Sequence, residues 1–263
     1  MQLPSTVKHL AQSQHGVVSR RQLLESGVTP AEIRWALGRS WRALLPGVIL
    51  LDPGLPTLEQ RQVAALLYAG PRAWLAGPTA LGVHGVATSF ETARVHVLVP
   101  TPLRSRDVSW ASVRRTAFTN ERVLERGPLR YSCLPRALVD SAHAAPDEDT
   151  ARALMIEAVQ RRLVRLDDVA HWVEARRSNG RLRLRRALGE AAAGAWSVPE
   201  ADLARLLAAS KVLPEAWSLA SRPPRSSVIL PPSCTGSRPH MSPRSDLATE
   251  PLWSRPDAQR SLA

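Results

Sequence analysis

The stretch HGVVSRRQLLESGVTPAEIRWALGRSWRALLPGVILL, residues 15–51, decides the fold of the N-terminal part of the chain. A helix is predicted to begin after Thr29, because Thr29 as N-cap and Glu32 as third helical residue can form a capping box. Pro30 suits the first helical position. The preceding helix ends at Gly27, since glycine adopts the left-handed conformation at little cost. The sequence therefore predicts two short helices that meet across a tight turn.

The residues around this turn complete a larger motif. Ser19 is a good N-cap for the first of the two helices. The helix that begins at Thr29 has apolar side chains at i, i+3 and i+4, so one of its faces should be buried. Two β-rich pieces, 41–45 and 48–51, flank a Pro-Gly pair, and this pattern predicts a β-hairpin. A helix-turn-helix with such a hairpin as its wing is predicted over residues 1–55.

This predicted unit carries the residues expected to contact DNA. In a helix-turn-helix the second helix enters the major groove, and its N-terminal turns reach the base edges. Arg34 and Thr29 are expected to read bases there, since an arginine pairs bidentately with guanine. Trp35 and Trp41 are expected to pack, although either could stack on the DNA. The arginines placed to grip phosphates are Arg20, Arg21, Arg39 and Arg42.

The composition favours a polyanionic partner. The 263 residues include 35 basic and 23 acidic side chains, which give a formal net charge of +12. A positive field of this kind attracts nucleic acid, so double-stranded DNA is the first partner to test. Part of the arginine content is typical of a GC-rich genome, so the charge alone does not require a nucleic-acid partner. The alternative to a DNA-binding unit at residues 1–55 is an ordinary helical hairpin whose arginines are solvated.

Several classes of protein are excluded by what the chain lacks. Its two cysteines, Cys133 and Cys234, lie far apart in sequence, which excludes a disulfide framework and a cysteine-rich metal site. The N-terminus has no secretory signal, and no apolar stretch approaches the roughly 20 residues of a membrane helix. A cytoplasmic location and no membrane partner are expected.

No catalytic or metal-binding motif is recognisable. The histidines lack metal-ligand spacing, and Walker, G-x-G-x-x-G and G-x-S-x-G motifs are missing. His84 is expected to pack or cap, and Asp167-Asp168 to cap a helix. The arginines between 176 and 186 favour a solvated helix face over a second nucleic-acid patch. We therefore expect no enzyme, no cofactor and no metal.

The rest of the chain divides into four parts, and the fold class overall is α+β. Residues 56–145 mix helical and strand patterns, which predicts a small mixed α/β middle domain. Residues 146–194 form a helical extension, and 195–217 hold one amphipathic helix. Residues 218–263 are rich in proline and serine, and they cannot bury enough surface to offset their ordering entropy. This tail is predicted to be disordered.

Four stretches, taken in order, resemble the AbiEi-type antitoxins of type IV toxin–antitoxin systems. They are 15–51, AWLAGPTALGVHGV at 73–86, VHVLVP at 95–100 and LRYSCLPRALVDSA at 129–142. The resemblance implies a winged helix that binds an operator and represses its own promoter. It also implies that the remaining residues carry neutralising activity toward a cognate toxin system, without direct contact with the toxin. The expected function is thus a DNA-binding, antitoxin-like transcriptional regulator.

A second resemblance supplies the main alternative. SVPEADLARLLAASKVLPEAW at 197–217 is similar to the opening helix of very-short-patch-repair-type endonucleases. The carboxylates that would hold Mg²⁺ do not follow it, and metal-assisted hydrolysis needs them. The alternative is therefore a degraded or truncated endonuclease-like protein without its catalytic core, with the tail as a frameshift product. A third interpretation is an interaction scaffold whose winged helix has lost DNA binding.

Overall fold

The computed structural model describes residues 3–87, 90, 93–119, 122–176, 180–194 and 197–209. These residues form a mixed α/β fold in which helices pack against two β-sheets. The tail predicted to be disordered, 218–263, lies outside the described residues, and so does the end of the helix predicted within 195–217.

The N-terminal unit contains three helices and a three-stranded antiparallel sheet. Strand β3 lies between β1 and β2, and a tight turn joins it to β2. Apolar side chains from all three helices and from the sheet share one core: Val7, Val18, Leu23, Val28, Ile33, Ala36, Trp41 and Ile49. The elements are α1 (Ser5–Ser13), β1 (Val17–Ser19), α2 (Arg20–Glu25), α3 (Pro30–Ala36), β2 (Arg42–Leu45) and β3 (Val48–Leu50).

The middle of the chain forms a six-stranded mixed sheet. Its strand order is β6-β7-β5-β4-β9-β8, with β5–β7 and β4–β9 parallel and the other neighbours antiparallel. The elements are α4 (Leu58–Ala69), β4 (Trp74–Leu75), α5 (Gly77–Leu81), β5 (Val95–Pro100), β6 (Arg106–Val108), β7 (Ala111–Thr116), β8 (Leu124–Arg126), β9 (Leu129–Tyr131) and α6 (Leu134–Ala144).

Four helices follow the sheet: α7 (Glu148–Gln160), α8 (Leu166–Ala175), α9 (Arg181–Ala192) and α10 (Val198–Ala209). Asp147 caps α7 by accepting a hydrogen bond from the Thr150 amide at 2.6 Å. Asp167 and Asp168 lie in the first turn of α8, where the helix dipole favours carboxylates. The prediction that they cap the helix is wrong, because Arg165 is the N-cap and no side-chain hydrogen bond caps this helix. Apolar contacts around Ile156 and an ion pair from Arg152 to Asp202 hold α10 against α7.

One large core extends across the predicted border at residues 55–56. Val17 and Leu50 of the first sheet, Leu66 of α4 and Leu184 of α9 all belong to it. A hydrogen bond of 3.0 Å from Gln60 Nε2 to a backbone carbonyl of the N-terminal unit crosses the same border. The N-terminal unit therefore rests on α4 and on the body of the protein.

Candidate nucleic-acid interface

Helix α3 buries one side and exposes the other. Ile33 and Ala36 point into the N-terminal core, whereas Ala31, Arg34 and Trp35 are exposed. Trp35 keeps 56% of its surface accessible, which is unusual for so large an apolar ring. Within the described part of the chain, no hydrogen-bond or ion-pair partner is observed for the Arg34 guanidinium. The outward face predicted for this helix is therefore free to meet a ligand.

The Thr29 side chain is engaged in the capping box that the sequence predicts. Its hydroxyl accepts a hydrogen bond from the Glu32 amide at 3.2 Å and donates to the Glu32 carboxylate at 2.7 Å. The Thr29 amide donates to the same carboxylate, and this bond lowers the pKa of Glu32. Because the hydroxyl proton is committed to Glu32, Thr29 could contact a base only as an acceptor.

Removing this cap should destabilise the start of α3. We expect Thr29→Ala to lower the free energy of unfolding by about 1 kcal/mol, the usual effect of losing a threonine N-cap. Thr29→Ser keeps the hydroxyl and is expected to stay close to the native chain. Urea unfolding of the two variants measures the difference, and equal losses in both would show that the hydroxyl does not stabilise the helix.

Arg39 and Arg42 are exposed, and both guanidinium groups are anchored to backbone carbonyls. Arg39 donates to the Trp35 carbonyl at 2.8 Å, and its guanidinium carbon lies 5.5 Å from the Trp35 ring centroid. Arg42 donates twice to the Pro53 carbonyl, at 2.8 and 3.1 Å. A carbonyl carries no net charge, so both arginines keep a full positive charge beside α3 and the β2–β3 hairpin.

Arg20 and Arg21 differ in their surroundings although they are neighbours. The Arg20 amide donates to the Gly47 carbonyl at 2.7 Å and thereby ties the start of α2 to the β2–β3 turn. Arg21 forms an exposed ion pair with Glu25 at 2.7 Å. Exposed pairs of this kind are weak, so a phosphate could displace the carboxylate. Arg20 is half-buried, whereas Arg21 is exposed.

The two tryptophans of this unit take different roles. Trp41 is buried in the N-terminal core, which confirms the packing interpretation for this residue. Trp35 does not pack there and stands on the surface of α3. Of these two, only Trp35 exposes a ring surface on which a ligand could stack.

Three of the arginines between 176 and 186 contact other helices. Arg183 donates to the Ala142 carbonyl at the end of α6, at 2.7 Å, and Arg185 pairs with Glu174 of α8. Arg176 pairs with Asp140 of α6. Arg177 lies outside the described residues. Arg176 and Arg183 are therefore engaged with α6 and do not lie on a wholly solvated face, the interpretation that the sequence favoured.

Sites for other chemistry are sparse in the described part of the chain. His84 packs beside β9, with its Nε2 2.8 Å from the Ser132 carbonyl, and burial lowers its pKa. Within the described ranges, no group of three or more histidine, cysteine or acidic side chains could hold a metal ion. Among the same residues, no helix has the length and apolar character needed to cross a membrane.

A cleft on the second sheet, which the sequence did not indicate, brings together His96, Arg114, Arg136, Asp140 and Trp172. Arg136 and Asp140 are four residues apart on α6, but the other three are distant in sequence, and only the fold brings them close. Comparison with protein-family models and with curated proteins found no match to this chain. A function for the chain therefore has to be inferred from the geometry of α3 and of this cleft.

Proposed function

We propose that the chain is a sequence-specific DNA-binding regulator of the AbiEi antitoxin type. In this proposal the N-terminal unit is a winged helix-turn-helix: α2 and α3 form the helix pair, and the β2–β3 hairpin is the wing. Support comes from the element order and from the short turn between the two capped helices. The hairpin follows α3 directly, and it carries Arg42 on its first strand.

The exposed face of α3 is the observation that carries the proposal. A recognition helix must present donors to base edges while its other side stays packed. Arg34 does so from the last turn of α3, because it is exposed one residue after the buried Ile33. Trp35 adds a planar apolar surface next to it. Arg39 and Arg42 place two further charges beside the helix, where phosphates would lie.

The biological role is inferred from the resemblance to antitoxins and rests on the same proposal. The DNA target would be an operator upstream of the gene for this chain, and binding would repress its transcription. The remaining residues would carry neutralising activity without direct contact with the toxin. No observation on the described residues favours a truncated endonuclease, so no second function is proposed.

An electrophoretic shift with the full chain and its own upstream DNA tests the proposal. Arg34→Ala is expected to weaken binding to the specific duplex by about 1–3 kcal/mol and to relax the sequence preference. Arg39→Ala is expected to weaken specific and unspecific duplexes alike and to reduce the salt slope by about one. The two variants thus separate base reading from phosphate contact.

Arg161→Ala is the matched control, because Arg161 is an exposed arginine of the α7 C-terminus that pairs with Glu157 away from α3. Its removal changes the net charge by the same amount as the other two variants. The proposal fails if Arg34→Ala and Arg39→Ala bind no worse than Arg161→Ala. It also fails if no fragment of the upstream region is shifted by the native chain.

A further inference from the structure

Three arginines that line the cleft on the second sheet are held in ion pairs. Arg114 binds Asp107, and Arg136 and Arg176 each bind an oxygen of Asp140. These guanidinium groups are engaged within the fold. The exposed face of α3 differs, because it presents a large aromatic ring and an arginine to solvent.

The centre of the exposed face of α3 is apolar. Successive residues of a helix are turned by about 100°, so Ala31 and Trp35, four residues apart, lie on the same side of α3. This side is opposite the one that carries Ile33 and Ala36 into the N-terminal core. Ala31 is exposed, and Trp35 keeps 56% of its surface accessible. A methyl group and an indole ring therefore point most directly away from the core.

The polar side chains at the first turn of α3 are bonded to each other. The Thr29 hydroxyl donates to the Glu32 carboxylate at 2.7 Å and accepts from the Glu32 amide. The same carboxylate oxygen accepts from the Thr29 amide at 2.8 Å, so the Glu32 side chain is turned back toward the start of the helix. Pro30 and Ala31, which lie between them, have no polar side-chain atoms. This turn therefore offers a ligand apolar contacts rather than side-chain donors.

Positive charge lies beside this apolar centre. Arg34 is exposed three residues after Ala31. Arg39 lies over the Trp35 ring and donates to the Trp35 carbonyl, so it holds the indole in place before any ligand binds. Arg42 stands on the adjacent hairpin. An apolar centre with guanidinium groups beside it is complementary to the major groove, where base edges lie between two rows of phosphates.

We propose that α3 reads the C5-methyl group of a thymine through Ala31 and Trp35 when the chain binds its DNA target. This methyl group is the apolar feature of the major groove, and apolar side chains recognise it by contact. Arg34 would pair with a guanine near this thymine, since it lies about one turn further along the same helix. The inference rests on the DNA-binding proposal and deepens it, because it names the base that the apolar side chains select.

Replacing thymine with deoxyuridine tests the inference, because this change removes the methyl group and keeps the base pairing. The probe is the shortest upstream duplex that the full native chain shifts, with each thymine replaced in turn. At one position or more, the replacement is expected to weaken binding about fourfold, the effect of one buried methyl group. The same duplex with 5-methylcytosine at its cytosines is the second arm. Tighter binding there, without any effect of deoxyuridine, would overturn the assignment to thymine.

Two variants of the protein locate the contact. Trp35→Gln is expected to weaken binding to the thymine duplex and to reduce the fourfold preference over deoxyuridine to less than about twofold, because the ring beside the methyl group is lost. Leu206→Gln is the matched control, since it removes an exposed apolar side chain of α10, a helix that packs on α7. It should keep the full preference. Both side chains are exposed, so both variants should melt as the native chain does.

The outcomes separate this inference from the proposal on which it rests. If the native chain shifts no upstream fragment, the DNA-binding proposal and the inference both fail. If Arg34→Ala and Arg39→Ala weaken binding as expected but no deoxyuridine replacement does, only the inference fails. Equal loss of the thymine preference in Leu206→Gln and Trp35→Gln would also overturn it. So would native binding of every duplex by Trp35→Gln, which would leave the apolar face to another partner, such as a second copy of the chain.

Discussion

Arg152→Ala is expected to lower the free energy of unfolding by about 3 kcal/mol, because truncating one partner of a buried ion pair leaves the other charge uncompensated. The Arg152 side chain is only 4% exposed and donates 2.6–2.8 Å hydrogen bonds to three carboxylates. Glu190 of α9 is the most buried of the three, at 15% exposed. Asp149 and Asp202 are exposed to solvent, so the loss of their ion pairs with Arg152 should lower the free energy of unfolding less. Urea unfolding measures the change.

Arg205→Ala is the matched control for this network. Arg205 contacts Asp202 and Glu190 from the solvent side, so its removal is expected to change the free energy of unfolding by less than about 1 kcal/mol. The double variant Arg152→Met/Glu190→Gln removes both buried charges and should recover part of the loss. If Arg152→Ala is no less stable than Arg205→Ala, the network does not hold α10 and α9 to α7.

The local structure of the N-terminal unit could be predicted from the sequence because its signals are local. The structure confirms the N-caps at Ser19 and Thr29, each closed within four residues. The hairpin at 42–50 is confirmed as well, since a Pro-Gly pair between β-rich pieces leaves the chain few alternatives. Each of these features depends on neighbours in sequence.

The short strands could not be predicted in the same way. β1, β4, β6 and β8 are only two or three residues long, too short for an alternating pattern. β4 is a strand because it lies between β5 and β9, which come more than 20 and more than 50 residues later. Hydrogen bonds to distant segments decide such elements, and one sequence does not show which segments meet.

The candidate cleft could not be predicted for a related reason. Arg136 and Asp140 lie four residues apart on α6, and that helix buries most of its other residues. A charged pair within so apolar a helix is a signal for a buried polar site, because burying a charge is costly unless it is paired. The sequence could have revealed this pair. It could not have revealed that Trp172 and His96 face it, since they come from α8 and β5.

Ile33→Ala is expected to lower the free energy of unfolding by about 2–4 kcal/mol, from the lost transfer energy of the side chain and the cavity it leaves. Ile33 is fully buried in the N-terminal core and joins α3 to Val18, Leu23 and Trp41. α3 has seven residues, and a helix of that length depends on tertiary packing rather than on its own propensity. The loss should therefore appear first as loosening of α3.

Hydrogen exchange of the α3 amides, measured alongside urea unfolding, tests this expectation. In Ile33→Ala, the α3 amides are expected to exchange faster than in the native chain. The α7 amides should exchange at the native rate, because the substitution does not contact this helix. Leu24→Ala is the control, because Leu24 is exposed on α2 and its truncation should cost less than about 0.5 kcal/mol. If the DNA-binding proposal holds, Ile33→Ala should also weaken binding to the specific duplex in the electrophoretic shift, because a loosened α3 does not hold Arg34 in a fixed position. Equal stability of Ile33→Ala and Leu24→Ala would mean that α3 is not anchored by its buried face.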